Sequence, residues 1–229
     1  MKMDRPLMVR AIGLTKRYPS GRGEKTALHE VNLAIPRGEF WIVSGPSGSG
    51  KTTLLGLLAG MIAPTCGEVQ LGGQAITHWR DHHRALVRRR LVGMVFQEFA
   101  LVPGMSLVEN VFLPLVPQGG PGRAERERGR ALLERFGLAA LASTPVERLS
   151  AGERQRGAII RALVTDAPIL MLDEPTAALD TENVRILLDL LLGLRTEGRT
   201  ILATTHDRRL AEDPRVDGVL RLVDGALEP

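Results

Sequence analysis

A glycine-rich segment in the first quarter of the chain has the residue types and spacing needed to bind phosphate groups. It matches the pattern G-x-x-x-x-G-K-[ST] in full. Glycines let backbone N–H groups surround phosphate oxygens, the lysine adds positive charge for the β- and γ-phosphates, and the last hydroxyl is a ligand for Mg²⁺. We therefore predict a nucleoside triphosphate site here rather than a plain glycine-rich turn. This phosphate loop comprises Gly45, Pro46, Ser47, Gly48, Ser49, Gly50, Lys51 and Thr52.

Two adjacent carboxylates follow an apolar run later in the chain. Asp173 and Glu174 come directly after Ile169–Leu172, which has the continuous apolar composition of a buried parallel strand. Open α/β sheets bind ligands at the carboxyl ends of their strands, so these acids are expected beside the phosphate loop. We predict that Asp173 holds Mg²⁺ through water and that Glu174 is the general base for a water attacking the γ-phosphate. For such a pair alone, the alternative is two acids in an exposed loop.

The surrounding pattern predicts the elements that position these groups. A strand at Phe40–Ser44 leads into the phosphate loop, and a helix at Thr52–Met61 follows it. Leu28–Ile35 alternates as strands do, and Leu7–Leu14 mixes apolar and polar residues like an edge strand. Strands alternating with helices predict an α/β fold with a mainly parallel sheet. Further predicted elements are strands at Val92–Phe96, Thr200–Thr205 and Gly218–Val223, and a helix at Val184–Leu194.

The residue composition changes between residues 99 and 149. Prolines and glycines interrupt the first half of this segment, and a charged helical stretch, Arg123–Phe136, follows. The pattern predicts a mostly helical insertion into the α/β unit.

Composition excludes several classes of site. The chain has 229 residues and a net charge of +4, and Cys66 is its only cysteine, so an intrachain disulfide or a cysteine-based zinc site is excluded. The longest stretch without a charged residue, Thr52–Gly67, has 16 residues, whereas a membrane span needs about 20 apolar ones. No signal peptide is evident in Met1–Arg10. We expect the chain to stay in the cytosol unless a partner holds it at a membrane.

The basic charge is concentrated between residues 78 and 90, which sum to +4. This cluster, Arg80–Arg90, is interpreted as a solvated helix face, with acidic headgroups or phosphates as the alternative partner. Aromatic residues make up only 3% of the chain, which argues against a stacking platform for single-stranded nucleic acid. His78, His82 and His83 are interpreted as surface residues rather than metal ligands.

A third motif carries a family resemblance. The segment Leu149–Arg156, LSAGERQR, resembles the signature loop of the ATPase subunits of ATP-binding cassette (ABC) transporters. It has Ala151 where the usual loop has glycine, and it keeps Ser150 and Gly152. Its Ser150-x-x-Glu153 spacing is also a helix capping box, and both interpretations are expected to hold.

Other elements follow in the family's order. Tyr18 matches the aromatic residue that stacks on adenine, and Gln97 matches the glutamine that senses Mg²⁺ and the γ-phosphate. Asp180, which ends Ala177–Asp180, matches the loop that links two active sites, and His206 matches the switch histidine. Taken alone, Tyr18 is open to interpretation as a loop aromatic and His206 as a satisfied strand-end histidine.

The resemblance implies a complete set of roles. The fold is expected to be a P-loop NTPase (RecA-like) core with an N-terminal antiparallel β region and a helical subdomain. The core is expected at residues 1–98 and 158–229, and the helical subdomain at 99–157. Mg²⁺ is assigned to Thr52, Gln97 and Asp173, and catalysis to Glu174, His206 and Lys51. The implied ATP-binding set is Tyr18, the phosphate loop from Gly45 to Thr52, Thr53 and Gln97.

The resemblance further implies a head-to-tail dimer, either of two copies of this chain or of this chain with a paired ABC ATPase subunit. Ser150, Ala151, Gly152 and Glu153 of one subunit would act on the ATP bound to the other. A transmembrane permease would be driven from the cytoplasmic face of the membrane, and no nucleic acid is expected as a partner. Glu98–Val116 and the helical insertion would dock that permease.

The sequence indicates a branch of the family and leaves alternatives for the class of function. Gly21–Thr26, and Glu109–Val111 with Pro114, resemble the lipoprotein-release, macrolide-export and cell-division branch. A non-transporting ATPase that regulates a membrane partner is the main alternative. A cassette protein of translation or DNA repair and an unrelated phosphate-loop kinase are weighed against it. The first usually has two cassettes or large inserts, and the second would lack the signature loop.

Overall fold

The computed structural model describes residues 5–21 and 23–228, so Arg22 of the Gly21–Thr26 loop lies outside the described residues. Ten strands form two sheets. Their bounds are β1 (Leu7–Ser20), β2 (Gly23–Pro36), β3 (Phe40–Ser44), β4 (Cys66–Leu71), β5 (Gln74–Ala75), β6 (Val92–Val95), β7 (Ile169–Asp173), β8 (Thr200–Thr205), β9 (Gly218–Val223) and β10 (Ala226–Leu227).

The N-terminal sheet is antiparallel, with strand order β2-β1-β4-β5. The prediction that Leu7–Leu14 is an edge strand is wrong, because β1 pairs with β2 on one side and β4 on the other. The strand also continues to Ser20, where charged residues are exposed along the hairpin with β2. Mixed polarity here reflects one solvent-facing side of an inner strand rather than a free edge.

The second sheet positions the predicted chemistry. Its strand order is β10-β9-β3-β8-β7-β6, and the five strands from β9 to β6 run parallel. The carboxyl ends of β3, β7 and β8 therefore meet at one edge of the sheet. The phosphate loop follows β3, Glu174 follows β7 and His206 follows β8. The predicted α/β fold with an antiparallel N-terminal region is confirmed.

Helices cover this sheet. The predicted helix at Thr52–Met61 ends earlier, since Gly60 adopts a left-handed φ of +68° that closes the helix. The helical insertion is built from short helices and three 3₁₀ segments, Leu113–Gln118, Ala139–Leu141 and Val146–Arg148. The helices are α1 (Lys51–Leu58), α2 (Asp81–Leu91), α3 (Leu107–Phe112), α4 (Arg123–Arg135), α5 (Ala151–Leu163), α6 (Thr181–Thr196) and α7 (Arg208–Ala211).

The parallel sheet separates two hydrophobic cores because alternate strand residues point to opposite faces. Ile42 and Leu172 pack in one core with α3, α5 and α6. Val43 and Met171 pack in the other with α1 and the N-terminal sheet. Both faces of the strands that carry the site are therefore buried, which fixes the strand ends.

None of the helices in residues 5–21 and 23–228 combines the length and the apolar composition of a membrane span. His78, His82 and His83 are exposed, as predicted, and the described residues contain no cluster of three or more His, Cys, Asp or Glu that could hold a metal ion. The Arg80–Arg90 cluster lies on and beside α2, whose Arg88 donates to the carbonyl oxygen of Gly60 at 2.9 Å.

Candidate functional site

The phosphate loop crosses closely over neighbouring backbone before α1 begins. Gly50, the N-cap of α1, has a φ of +103°, and a Cβ there would lie 2.6 Å from the carbonyl oxygen of Ala27. A Cβ on Gly45 would lie 2.1 Å from the carbonyl oxygen of Leu222. Glycine is required at both positions for these approaches. The loop then presents the N-terminal N–H groups of α1, which favour anions.

The ammonium group of Lys51 is buried inside the loop that precedes it. Its Nζ donates to the carbonyl oxygens of Gly45 at 2.9 Å and Pro46 at 3.0 Å. It also lies 3.2 Å from Oε1 of Glu174, and both side chains are more than nine-tenths buried. The structure thus brings together a lysine and a carboxylate that are 123 positions apart (174 − 51).

Glu174 is held from several directions. Its backbone adopts a left-handed φ of +45°, and its N–H donates to the carbonyl oxygen of Thr204 at 3.1 Å and to Oγ1 of the same residue at 3.1 Å. Its Oε2 accepts from the backbone N–H of His206 at 3.2 Å and lies 2.9 Å from Nδ1 of the His206 ring. One carboxylate oxygen therefore faces the lysine and the other faces the histidine.

Asp173, the last residue of β7, is buried and bound to the next strand. Thr204 Oγ1 donates to Asp173 Oδ1 at 2.6 Å. The Thr204 hydroxyl therefore donates to Asp173 while it accepts from the N–H of Glu174, which locks the two acids to β8. Nothing in the local sequence pattern predicts this role for Thr204.

Replacing Thr204 with valine keeps the shape of the side chain and removes its hydroxyl. The buried carboxylate of Asp173 then loses a hydrogen-bond donor, and the free energy of unfolding should fall by about 1–3 kcal/mol. Chemical denaturation followed by circular dichroism measures the change. Thr196→Val, at the exposed end of α6, is the control and should cost less; equal losses would contradict the bridging role.

A cleft of about 860 Å³ opens beside the phosphate loop. Of the residues predicted to bind ATP or Mg²⁺ or to act in catalysis, Gly45, Ser49 and Asp173 do not line it, whereas Lys25, Thr26, Ala27, Asp224 and Gly225 line it without having been predicted. These five come from the β1–β2 hairpin and the β9–β10 turn. Both segments are distant from the phosphate loop in the sequence and are brought next to it by the fold. The predicted residues that line the cleft are Tyr18, Pro46, Ser47, Gly48, Gly50, Lys51, Thr52, Thr53, Gln97, Glu174 and His206.

The signature loop is outside this cleft. Ser150 is the N-cap of α5, and its side chain and that of Glu153 form the predicted reciprocal capping box. Hydrogen bonds from the backbone N–H of Ser150 and then from its hydroxyl lower the pKa of Glu153. Ala151 is the first residue of α5 and has no positive φ, so alanine fits the helical backbone where the usual loop has glycine.

Asp180 is also outside the cleft and begins a helix. It is the N-cap of α6, and its Oδ1 accepts from the backbone N–H of Asn183 at 2.8 Å. Hydrogen bonds from the backbone and then the side chain of Asn183 lower the pKa of Asp180. The Asp180 carboxylate thus caps the first turn of α6.

Known proteins are similar to this chain over almost its whole length. Residues 28–177 match the family model described as ABC transporter. The chain is 36% identical over 222 residues to the uncharacterized ABC transporter ATP-binding protein YknY of Bacillus subtilis, covering 97% of this chain and 96% of that protein. It is 40% identical over 220 residues to the macrolide export ATP-binding/permease protein MacB of Rhodospirillum rubrum, where it spans 96% of this chain but 34% of the relative.

A solved structure is similar to the same extent. The dimeric ATP-binding cassette MJ0796, bound to ADP and Pi in a post-hydrolysis state, is 36% identical and superposes with a TM-score of 0.89. The match covers 97% of each chain.

Proposed function

Because the chain belongs to the ABC transporter family, we propose that it is the ATP-hydrolysing subunit that drives a membrane permease. The observation that carries the proposal is the position of Glu174. It lies between Lys51 of the phosphate loop and His206, and both glutamate and histidine line one cleft with that loop. A lysine that neutralises phosphate and a carboxylate that accepts a proton are two of the groups that γ-phosphate hydrolysis uses.

ATP binding rearranges the contacts of Lys51. The phosphate oxygens compete for its Nζ with the carbonyl oxygens of Gly45 and Pro46 and with the carboxylate of Glu174. Lysine that moves toward the phosphates leaves Glu174 free to accept a proton. The backbone N–H groups of the phosphate loop and of α1 hold the remaining phosphate charge.

Hydrolysis then uses Glu174 as the general base. Its carboxylate takes a proton from water as the water oxygen bonds to the γ-phosphorus, and the bond from that phosphorus to the β–γ bridging oxygen breaks. ADP and inorganic phosphate are the products. His206, hydrogen-bonded to Glu174 and exposed to the cleft, positions the γ-phosphate.

The oxygen-donor set fits Mg²⁺, which prefers hard oxygen ligands. Thr52 and Gln97 line the cleft, and the carboxylate of Asp173 ends β7 next to Glu174. Mg²⁺ bound by these residues would neutralise charge on the phosphate oxygens.

The signature loop supports a composite site. Ser150 and Gly152 lie outside the cleft of their own subunit, and the similar cassette MJ0796 is a dimer. We therefore assign Ser150, Ala151, Gly152 and Glu153 to the ATP of a second copy and Asp180 to the link between the two sites. ATP binding closes the dimer and hydrolysis releases it.

The relatives named MacB combine an ATP-binding part and a permease part in one name. By analogy, we place this chain on the cytoplasmic face of the plasma membrane, bound peripherally to a permease of the export or lipoprotein-release type. Residues 99–157, which include α3 and α4, form the helical subdomain that would contact it.

Capture from detergent-solubilised membranes tests this proposal. Tagged Glu174→Gln, incubated with ATP, should retain a polytopic membrane protein in a fixed ratio. Lys51→Met, which is expected to bind ATP about a hundredfold more weakly, is the matched control and should retain less at an ATP concentration that saturates only the parent chain. A soluble partner, a ribosome or DNA in place of the membrane protein would mean that the transport assignment is wrong.

Replacing Tyr18 with alanine tests the adenine-stacking assignment. Tyr18 is 37% exposed at the rim of the cleft. Loss of one base–aromatic stack should raise the KM for ATP about tenfold and change kcat little. Steady-state phosphate release measures both constants. Tyr18→Phe retains the ring and should keep the KM of the wild type; an unchanged KM in Tyr18→Ala would remove Tyr18 from the site.

A further inference from the structure

The side chain of Asn183, in the first turn of α6, joins two segments that the proposed mechanism uses separately. On one side it contacts Asp180: its Nδ2 donates to Asp180 Oδ1 at 3.0 Å and to Oδ2 at 3.1 Å. Together with the backbone N–H of Asn183, these bonds hold the Asp180 carboxylate against α6. The amide nitrogen is thereby committed to the Asp180 loop.

On its other side, Asn183 contacts the signature loop of the same subunit. Its Oδ1 accepts from Nη1 of Arg156 at 3.2 Å. Gly152 approaches so closely that a Cβ there would lie 2.5 Å from the same Oδ1 and 2.9 Å from Cγ. The absence of a side chain at Gly152 therefore makes room for the Asn183 amide.

Asparagine has the chemistry that this position needs. Its amide donates through nitrogen to a carboxylate and accepts through oxygen from a guanidinium at the same time. Aspartate would repel Asp180, and leucine would make neither bond. The contact is specific to the residue type and does more than fill space.

The Asp180 loop is itself connected to the proposed base by successive turns. The N–H of Ala177 donates to the carbonyl oxygen of Glu174 at 3.2 Å, and the N–H of Leu179 donates to that of Thr176 at 3.1 Å. These turns form a hydrogen-bonded path from Glu174 to the residue before Asp180. Asn183 extends that path to Gly152 and Arg156.

We propose that Asn183 is a positioning residue that ties the Asp180 loop to the signature loop within one subunit. The inference rests on the proposed function, in which Gly152 acts on ATP bound to the other copy. Asn183 then transmits the state of one cleft to the loop that closes the other. It touches no reacting atom and acts through Gly152 and Asp180.

The test separates ATP binding by one subunit from ATP-dependent dimer formation. Asn183→Leu is made in the Glu174→Gln chain, and ATP affinity is measured at protein concentrations below dimerisation. We expect that affinity to change by less than about twofold, while the dimer dissociation constant rises about tenfold, the effect of losing one to two hydrogen bonds. In the otherwise unchanged chain, kcat should fall by a similar factor.

Two further variants keep the result interpretable. Glu182→Gln, exposed on the same turn of α6, should leave all three constants unchanged. Asn183→Asp keeps the size of the side chain and the acceptor for Arg156 but sets a second carboxylate against Asp180. We expect it to raise the dimer dissociation constant as Asn183→Leu does, and a thermal melt shows that it is folded even if Asn183→Leu folds poorly.

Some outcomes would overturn the inference. An unchanged dimer constant and kcat in Asn183→Leu, or an unchanged dimer constant in Asn183→Asp, would do so. Loss of ATP affinity in the isolated subunit would place Asn183 in its own cleft instead. Failure of the proposed function itself is distinguishable. In that case the wild-type chain would not hydrolyse ATP, and the Glu174→Gln chain would not dimerise when ATP is added.

Discussion

Replacing Glu174 with glutamine should reduce ATP hydrolysis by about a hundredfold to ten-thousandfold, the range that general bases contribute. Glutamine keeps the shape of the side chain and one carbonyl oxygen that can accept from His206. It cannot take up the proton of the attacking water. ATP affinity should remain, because Lys51 and the phosphate loop are unchanged.

Phosphate release under single- and multiple-turnover conditions measures the loss, and binding of a fluorescent ATP analogue checks the retained affinity. Glu212→Gln, on the exposed end of α7, is the matched control and should hydrolyse ATP at the rate of the wild type. Turnover in Glu174→Gln at the wild-type rate would contradict the assignment of the base.

Replacing Lys51 with methionine should weaken ATP binding by about a hundredfold. Lys51 is buried with its Nζ aimed at the inner carbonyl oxygens of the phosphate loop, where phosphate oxygens would lie. Two charged hydrogen bonds to phosphate contribute about 3 kcal/mol together, which corresponds to that factor. The substitution also leaves the negative charge of Glu174 facing the phosphates with no cation between them.

Isothermal titration with ATP measures the dissociation constant, and a thermal melt shows whether the variant is folded. Methionine keeps the length of the side chain and tolerates a buried site, which limits the loss of packing. Arg208→Met, on the exposed face of α7, controls for loss of one positive charge elsewhere. An ATP affinity equal to that of the wild type would exclude the phosphate loop as the binding site.

The sequence predicted the elements whose signals are local. The pattern of the phosphate loop, the apolar run of β7 and the capping box at Ser150 each depend on residues close together in the chain, and the structure has all three. The position of Leu7–Leu14 was mistaken because an edge and a half-exposed inner strand have the same polarity pattern. Only the pairing with β4, more than 50 residues later, distinguishes them.

In the candidate site, too, the features with local sequence signals were predicted and those that depend on distant contacts were not. Strand order brings Glu174 and His206 to one edge, so their proximity followed from the predicted α/β fold. The Thr204 hydroxyl between the two acids, and the contribution of Lys25 and Asp224 to the cleft, depend on side-chain contacts across strands and turns. Single threonines, lysines and aspartates have no spacing that could have marked them in advance.

We expect ATP to join two copies of this chain into one hydrolytic unit. The most direct measurement is the molar mass of Glu174→Gln by light scattering during size exclusion, with ATP, with ADP and without nucleotide. We expect the mass of the 24.9 kDa chain alone without nucleotide and with ADP, and about twice that mass with ATP. A single-chain mass with ATP, under conditions where ATP binding is saturated, would contradict it.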